Sequence, residues 1–377
     1  MQKNNFSTSF WEYSSFLKGY DLIIVGSGIV GLNAAITFKK KHPKSGVLII
    51  ERGAIPMGAS TKNAGFACFG SPSELISDLS AMDEKTVLET IEMRWKGLKR
   101  LRKLIGDHNL DFVQNGGFEV FDSKKKFTEA ADYLSLLNLK LSPITKSKHT
   151  FKINNKKLQL FGLSGFHGLI ESPMEGQLDP GKMMRDLMEM AAKKGITTWN
   201  ETVDSIEQLS DGVSVKLSNS FEIRTRNLII ATNGFARQLI PDLPVVPART
   251  QVLITSPIRN LKLRGVFHYD EGFFYFRNVG NRVLLGGGRN MDIKGEETDE
   301  FGITLTIQKR LEKMLSLQIL SEKNYTIDYR WSGIMGMGKE KKPIIKHTSK
   351  NVVVAVRMGG MGVAIGSLVG EMAANEI

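Results

Sequence analysis

Hydrophobic residues near the N-terminus change spacing twice, and these changes predict a strand–helix–strand unit. Residues 22–25 are continuously apolar, which indicates a strand that is buried on both faces. Residues 29–38 have helical spacing, and residues 47–50 form a second apolar run. We therefore predict two parallel strands joined by a helix that crosses over the sheet.

Three glycines lie between the first strand and the helix of this unit. Gly26, Gly28 and Gly31 have G-x-G-x-x-G spacing, and Glu51 follows the second strand. The first glycine permits a tight turn, the second lets a pyrophosphate approach the backbone, and the third lets the helix pack on the strand. The helix N-terminus offers free N–H groups to phosphates, and Glu51 accepts hydrogen bonds from a ribose. The unit therefore predicts a dinucleotide site.

The rest of the chain shows two kinds of pattern. Up to Pro244 helical and strand-like segments alternate, and after it β-type runs with turn signals dominate and predict an antiparallel sheet in a second domain. Asp179 caps a helix that Pro180 opens and Gly195 ends. The predicted helices cover 76–107, 124–139, 180–194 and 301–320, with one more after 362, and the predicted strands cover 112–121, 196–203, 221–230, 250–255, 268–278, 282–288 and 352–356.

Two segments outside these elements carry predictions of their own. Residues 1–20 include Phe10, Trp11, Tyr13 and Phe16, and we expect this arm to pack on the edge of the first domain. Residues 145–160 are basic and polar, so we expect an exposed excursion there.

Composition and charge narrow the classes of function. The 377 residues suffice for two domains, and a hydrophobic content of 41% suffices for a core. Cys68 is the one cysteine, so we expect neither a disulfide framework nor a metal site, and we interpret it as a buried inert thiol. Since no signal segment or membrane span is visible, we expect a cytoplasmic protein. The net charge is +12, but scattered basic residues favour plain surface charge over nucleic-acid binding.

Six short motifs follow one another along nearly the whole chain. They are VGSGIVG with Glu51, GASTKNAGF, LDPGKMMRDLMEMAAKKG, IIATNGF, RWSGIM and the terminal GGMGVAIGSLVGEMA. In order and spacing they resemble the D-amino acid oxidase superfamily of FAD-dependent oxidoreductases, which includes glycine, sarcosine and γ-glutamylputrescine oxidases. The resemblance implies an α/β fold with a discontinuous Rossmann-type FAD-binding domain and an α+β substrate domain that has a mainly antiparallel sheet. The expected boundaries are 1–80, 172–243 and 331–377 for the first domain and 81–171 and 244–330 for the second.

The resemblance implies FAD as the cofactor, and the lack of a cysteine near RWSGIM implies that it is non-covalent. A flavin is longer than one glycine turn can hold, so we expect residues 58–75 to form a second cradle for its ring system. The helix after the terminal glycine turn would face the negative charge of a reduced flavin. The predicted cofactor-binding residues are Gly26, Gly28, Ile29, Val30, Gly31, Glu51, Arg52, Ser60, Thr61, Lys62, Asn63, Ala64, Gly65, Val203, Thr232, Asn233, Gly234, Gly333, Gly359, Gly360, Met361 and Gly362.

The expected substrate site departs from the family pattern. Amino-acid oxidases of this family often carry an arginine for the substrate carboxylate where this chain has Met335. Arg289 and Arg249 are candidate substitutes, because a bidentate guanidinium suits a carboxylate. Sarcosine oxidases carry an oxygen-activating lysine on the strand that matches 282–288. Apolar residues stand there in this chain, which favours a dehydrogenase over an oxidase.

The aromatic segment 268–278 supplies the remaining candidates. Alternation places Tyr275 on the face opposite Phe274 and Phe276, and the resemblance implies an aromatic residue above the flavin, with ordinary sheet packing as the alternative. Arg277 shares the Tyr275 face and is an alternative rim residue. His268, at the start of this segment, precedes the strand that carries Tyr275 and is assigned to a loop. The predicted catalytic residues are Tyr275, Arg289 and Met335.

These features predict an FAD-dependent oxidoreductase for a small amine or amino-acid-like substrate. A hydride would pass from the C–N bond to flavin N5, the imine would hydrolyse, and oxygen or another acceptor would take the electrons. The alternatives are a 2-hydroxy-acid or polyol-phosphate dehydrogenase of the same superfamily, an FAD domain of the tRNA-modification type, and a flavin-binding protein without turnover. The substrate, the acceptor and the oligomeric state stay open.

Overall fold

A computed structural model describes residues 8–17, 19–321 and 323–377. The helices are α1 Phe10–Glu12, α2 Ile29–Lys41, α3 Pro72–Ala81, α4 Glu84–Ile105, α5 Lys124–Thr145, α6 Lys156–Phe161, α7 Pro180–Lys193, α8 Leu305–Met314 and α9 Gly362–Asn375. The strands are β1 Tyr20–Val25, β2 Val47–Glu51, β3 Phe66–Ala67, β4 Gly117–Phe121, β5 Lys152–Ile153, β6 Gly168–Ser172, β7 Gly176–Gln177, β8 Thr197–Asn200, β9 Val203–Gln208, β10 Val213–Leu217, β11 Glu222–Ile230, β12 Val246–Thr255, β13 Val266–Tyr269, β14 Phe274–Val279, β15 Arg282–Gly287, β16 Ile327–Met337, β17 Ile344–Ser349 and β18 Val352–Val356.

The first sheet is built on the N-terminal strand–helix–strand unit. Its main path is β17-β18-β11-β1-β2-β8, with β9 and β10 attached as an antiparallel pair. The pairs from β18 to β8 along that path are parallel. Ile24 and Ile49 are fully buried beneath α2, α7 and α9, whose apolar faces supply the core on that side. The predicted Rossmann-type parallel sheet is confirmed.

The second sheet has the order β16-β12-β15-β14-β13-β4-β6-β5. All its pairs are antiparallel except β13 with β4. One face packs on α8 through an aromatic core in which the Phe267 and Phe276 rings stack with centroids 4.7 Å apart. The predicted mainly antiparallel sheet is confirmed, and the opposite face, which carries Tyr275, is free to meet the first sheet.

The two sheets draw on alternating stretches of the chain. Strands of the first sheet come from 20–51, 197–230 and 344–356, whereas strands of the second come from 117–172 and 246–337. Helix α4 packs closely on α9, because Gly97 has no side chain to meet the backbone of Ala364. The domain boundaries given above stay a prediction.

Three local predictions need correction. The helix predicted over 76–107 is two helices, because Asp83 leaves helical geometry and caps α4 through the Thr86 N–H at 2.9 Å. The segment 145–160 contains β5 and α6, and Phe151 anchors it in the core between α3, α4 and α5. Of the N-terminal arm, residues 1–7 and 18 lie outside the described residues; in its described part Phe10 and Trp11 are 70% and 73% exposed, so these two residues do not pack on the domain edge.

Among the helices of the described ranges, none combines the length and the apolar character that crossing a bilayer requires.

Candidate functional site

One cavity of about 540 Å³ lies between the carboxyl ends of the parallel strands and the free face of the second sheet. Its wall includes the residues that follow β1, β2 and β11, which is where ligands bind in open α/β sheets. The opposite wall includes His268 and Tyr275 of the second sheet. A ligand in this cavity would therefore contact both halves of the molecule.

The first glycine turn has the geometry that its spacing predicts. Gly26 has a φ of +103°, which favours glycine, and a Cβ on Gly31 would lie 1.9 Å from the Gly26 carbonyl oxygen. A Cβ on Gly28 would lie 2.9 Å from the Ser60 Oγ, which itself accepts a hydrogen bond from the Ile29 N–H at 3.0 Å. The glycines thus bring the N-terminus of α2 against the second cradle segment and keep its backbone open to the cavity.

Glu51 lies at the end of β2 with its carboxylate fixed by the main chain. Ser27 donates to Oε2 from both its N–H and its hydroxyl, at 3.1 and 2.7 Å, and the Gly53 N–H donates to Oε1 at 3.1 Å. Oε2 thus uses both of its lone-pair sites, whereas Oε1 keeps one site that can accept a hydrogen bond from a ribose hydroxyl. This is the arrangement that a dinucleotide fold uses at this position.

Residues 58–66, the first half of the segment 58–75 that is predicted to form a second cradle, are held by their own hydrogen bonds. These nine residues form the second cradle segment. The Asn63 side chain donates to the Ala59 and Ser60 carbonyls and accepts from the Gly65 N–H. Trp331 donates from Nε1 to the Lys62 carbonyl at 2.9 Å, which ties the segment to β16. The segment therefore presents a preformed strip of backbone to the cavity.

A second glycine turn opens α9 toward the same cavity. Gly359 and Gly360 have φ values of +57° and +81°, and the helix begins at Gly362. Asn233 stabilises this turn by accepting hydrogen bonds from the Arg357 and Met358 N–H groups. Beside it, the hydroxyl of Thr232 is buried and has no partner among the described residues, so a ligand can provide one.

The cavity wall contains the predicted cofactor-binding residues except Gly31, Thr61 and Gly234. Gly31 instead lets α2 approach the first turn, and the Thr61 hydroxyl turns away to donate to the Pro56 and Gly58 carbonyls. Gly234 packs against the backbone of Met335, where a side chain would not fit. These three positions therefore shape the wall without forming it.

Tyr275 and His268 are directly paired residues of β14 and β13, and both line the cavity. The Tyr275 hydroxyl lies 3.0 Å from the Thr250 Oγ1, and burial raises the pKa of Tyr275. The assignment of His268 to a loop is wrong, because β13 pairs on both sides and carries its ring into the interior. Burial lowers the pKa of His268 to about 4 against the opposing effect of Glu74, so the ring is neutral at physiological pH.

The two candidate arginines have different surroundings. Arg249 forms two hydrogen bonds of 3.0 Å with the Glu296 carboxylate and does not line the cavity. Arg289 lines the cavity, and within the described ranges its guanidinium has no hydrogen bond or ion pair; the guanidinium lies 5.9 Å from the centre of the Phe273 ring. Met335 also lines the cavity. Arg289 is thus the arginine that remains available to an anionic ligand.

A group of charged residues that sequence reasoning missed belongs to this cavity. Glu74, Asp78 and Lys341 line it, and the buried Arg94 contacts Glu74. Lys341 contacts the Glu74 and Asp78 carboxylates at 3.1 and 2.7 Å, and Arg94 contacts Glu74 at 3.3 Å. Although burial raises the pKa of Glu74, Arg94 and Lys341 together bring it down to about 2. Lys341 and Glu74 are 267 positions apart, so no local pattern connects them.

Cys68 also lies in the cavity wall, with 3% of its surface exposed. Burial, with a further contribution from Glu175, raises the pKa of its thiol well above the ordinary value. The thiol therefore stays protonated, which agrees with its interpretation as an inert side chain.

Comparisons with known proteins place these observations in a family. The family model described as FAD dependent oxidoreductase (DAO) matches residues 21–376. The chain is 21% identical to the gamma-glutamylputrescine oxidoreductase of Escherichia coli, over 94% of this chain and 82% of that protein. It also resembles the solved structures of the L-proline dehydrogenase from P. horikoshii and the glycine oxidase from Geobacillus kaustophilus. The TM-scores are 0.75 and 0.74, at 17% and 20% identity; the first match covers 95% of this chain and 92% of the other, and the second covers 94% of each.

Proposed function

Since the chain belongs to the DAO family of FAD-dependent oxidoreductases, we propose that it oxidises the C–N bond of a small amine that carries a carboxylate. The observation that carries this proposal is Arg289, a guanidinium at the cavity with no protein partner among the described residues. A guanidinium recognises a carboxylate through paired, charge-assisted hydrogen bonds. Arg289 thus takes the role that Met335 cannot fill.

FAD is the cofactor of this family, and the residues of the cavity fit it. The Glu51 carboxylate would hold the adenosine ribose, and the N-terminus of α2 would face the pyrophosphate. The unpaired Thr232 hydroxyl gains a partner when a polar ligand lies beside it. Because Cys68 is the one cysteine and its thiol is buried, we propose that FAD is held without a covalent bond.

Bound FAD supplies the two-electron acceptor, and the side chains of the cavity bind and orient the substrate. Arg289 would bind the substrate carboxylate, and the Tyr275 hydroxyl would hydrogen-bond to a polar group of the substrate. The substrate would react as its neutral amine, after the ammonium proton has passed to solvent. The carbon next to nitrogen would then give up a hydride to the flavin while the nitrogen lone pair forms the C=N bond, and water would hydrolyse the imine to a carbonyl compound and the released amine or ammonia. This transfer requires positioning more than a strong base, which agrees with the neutral His268.

The names of similar proteins support an amine substrate. The relative from Escherichia coli is a gamma-glutamylputrescine oxidoreductase, and one similar structure is an L-proline dehydrogenase. The buried apolar residues Leu284 and Leu285 stand where an oxygen-activating lysine would be expected, so we further propose an acceptor other than oxygen.

The test is an anaerobic absorbance titration of the purified holoprotein. The panel contains α-amino acids, N-methyl amino acids, the matching amines without a carboxylate, and 2-hydroxy acids. We expect an amino acid to bleach the flavin bands, and subsequent exposure to air to restore them only slowly. Bleaching by 2-hydroxy acids alone, or by amines with no preference for a carboxylate, would contradict the proposal.

A further inference from the structure

Arg277 is a buried cation without a partner. It lies on β14, two residues beyond Tyr275, and only 6% of its surface is exposed. Its Nε is buried with no hydrogen-bond partner, and no ion pair involves its guanidinium among the residues that the structure describes. Burial lowers the pKa of Arg277 to about 10, so the side chain stays charged at neutral pH. The sequence-based alternative of an exposed rim position is therefore wrong.

The guanidinium lies directly behind the second cradle segment. A Cβ on Gly65 would lie 3.0 Å from its Nη2, and Gly65 itself lines the cavity, whereas Arg277 does not. One layer of backbone thus separates the cation from the cavity. Within this segment, Ser60 lies beside the N-terminus of α2, and the ring of Phe66, the last residue, contacts Tyr275. Gly65 therefore lies toward the substrate end of the cavity.

The nearby carboxylates are used elsewhere. Asp179 accepts the Gly181 and Lys182 N–H groups at 2.8 and 3.0 Å as the cap of α7, and Asp111 lies 3.5 Å from the Lys182 ammonium. Both carboxylates influence the pKa of Arg277 only through space. A buried charge that lacks a direct counter-ion costs several kcal/mol, so the fold retains Arg277 at the expense of its stability.

We propose that Arg277 is an electrostatic positioning residue that raises the reduction potential of bound FAD. Two-electron reduction places negative charge on the flavin ring system, and a buried cation behind one layer of backbone stabilises that charge. Arg277 needs no contact with the substrate for this effect. The inference therefore rests on FAD binding by this family and is independent of the substrate assigned above.

The experiment is an anaerobic redox titration against a reference dye, with no substrate present. Arg277→Met and Arg277→Gln remove the charge, whereas Arg277→Lys keeps it. We expect the midpoint potential of both neutral variants to be more negative than that of the wild type by at least about 30 mV. For a two-electron couple this corresponds to a tenfold change in the equilibrium constant for flavin reduction. Arg277→Lys should stay near the wild-type value. The dissociation constant of FAD, measured in parallel, should change little.

Asp179→Asn provides a second variant if the neutral Arg277 variants do not fold. Asparagine also caps helices, so α7 should persist, and removing a negative charge beside Arg277 should shift the potential to more positive values. Glu189→Gln, at the exposed face of the same helix, is the matched control and should leave the potential unchanged.

An unchanged potential in the FAD-loaded neutral Arg277 variants, or in Asp179→Asn, would overturn the inference. Loss of FAD affinity at constant potential would overturn it too, since it would indicate a phosphate contact. If the potential shifts but no amine reduces the wild type, only the proposed substrate fails.

Discussion

The two ends of the cavity differ in how their polar groups are bonded: the cofactor end, at the first glycine turn (residues 26–31) and the second cradle segment, and the sheet end, at β13 and β14. At the cofactor end, Glu51 and Asn63 are already hydrogen-bonded to neighbouring backbone. At the sheet end, buried atoms of His268 and Arg277 lack partners, and Arg289 is unpaired within the described ranges. We infer that the main chain preorganises the cofactor end, whereas the sheet end keeps polar groups available for the chemistry.

The largest loss of FAD binding is expected from adding one methyl group at Gly31. A Cβ there would lie 1.9 Å from the Gly26 carbonyl oxygen, so α2 must move away from the turn. We expect Gly31→Ala to lose FAD binding and to lower the free energy of unfolding by about 3 kcal/mol or more. Gly46→Ala is the matched control, because Gly46 lies outside the cavity wall and its Cβ would meet no atom closer than 3.6 Å. Flavin absorbance after desalting and a denaturant titration measure both effects, and equal FAD retention by the two variants would contradict the account.

Glu51→Gln removes the negative charge at the cofactor end while keeping a side chain of almost the same size. A glutamine has one carbonyl oxygen, so it cannot accept from Ser27 and Gly53 while also holding a ribose. We expect the dissociation constant of FAD to rise about 10- to 100-fold, since hydrogen bonds to charged groups contribute about 1.5–3 kcal/mol. Titration of the apoprotein with FAD measures this change. An unchanged dissociation constant would mean that Glu51 does not contact the cofactor.

Tyr275→Phe tests whether the sheet end affects flavin reduction without affecting FAD binding. The variant removes a hydroxyl that lies 3.0 Å from the Thr250 Oγ1 but leaves the ring against Phe66. We expect the rate of flavin reduction by substrate to fall about 3- to 10-fold, the loss of one neutral hydrogen bond, while the affinity for FAD stays constant. Stopped-flow reduction gives the rate. A parallel loss of FAD affinity would place Tyr275 in the cofactor end instead.

The buried carboxyl groups behind the sheet end make stability depend on pH. Burial raises the pKa of Glu119 to about 7 and that of Glu175 to about 8. Because these folded-state values exceed the unfolded ones, the protonated forms stabilise the fold at acidic pH, and this contribution is lost as pH rises through 7 and 8. We expect the free energy of unfolding to fall by several kcal/mol between pH 5 and pH 9, since each pKa unit corresponds to about 1.4 kcal/mol.

Glu119→Gln and Glu175→Gln measure that contribution directly. Glutamine stays neutral at every pH, so the double variant should lose most of the decrease in unfolding free energy between pH 5 and pH 9. Denaturant titrations at both pH values give the comparison. A double variant with the wild-type decrease would show that other groups cause it.

The same contrast explains what the sequence could predict. Gly26, Gly28, Gly31 and Glu51 act through backbone geometry that lies within one strand–helix–strand unit, so spacing along the chain was enough. Lys341 meets Glu74, and Arg277 meets Gly65, only after distant segments come together. His268 was misassigned because the short strand β13 is stabilised by pairing with β4 and β14, neither of which its own residues indicate.

The central claim is tested most directly by the rate at which an α-amino acid reduces the bound FAD, compared with the matching amine that lacks the carboxylate. The wild type should favour the amino acid. Arg289→Met should lower the rate constant for the amino acid about 10- to 100-fold, as expected for a lost charge-assisted pair, and leave that for the amine unchanged. The rate constant of Arg289→Lys for the amino acid should lie between those of the wild type and Arg289→Met. Equal losses for both compounds, or no loss for either, would contradict the assignment of Arg289 as the carboxylate-binding residue.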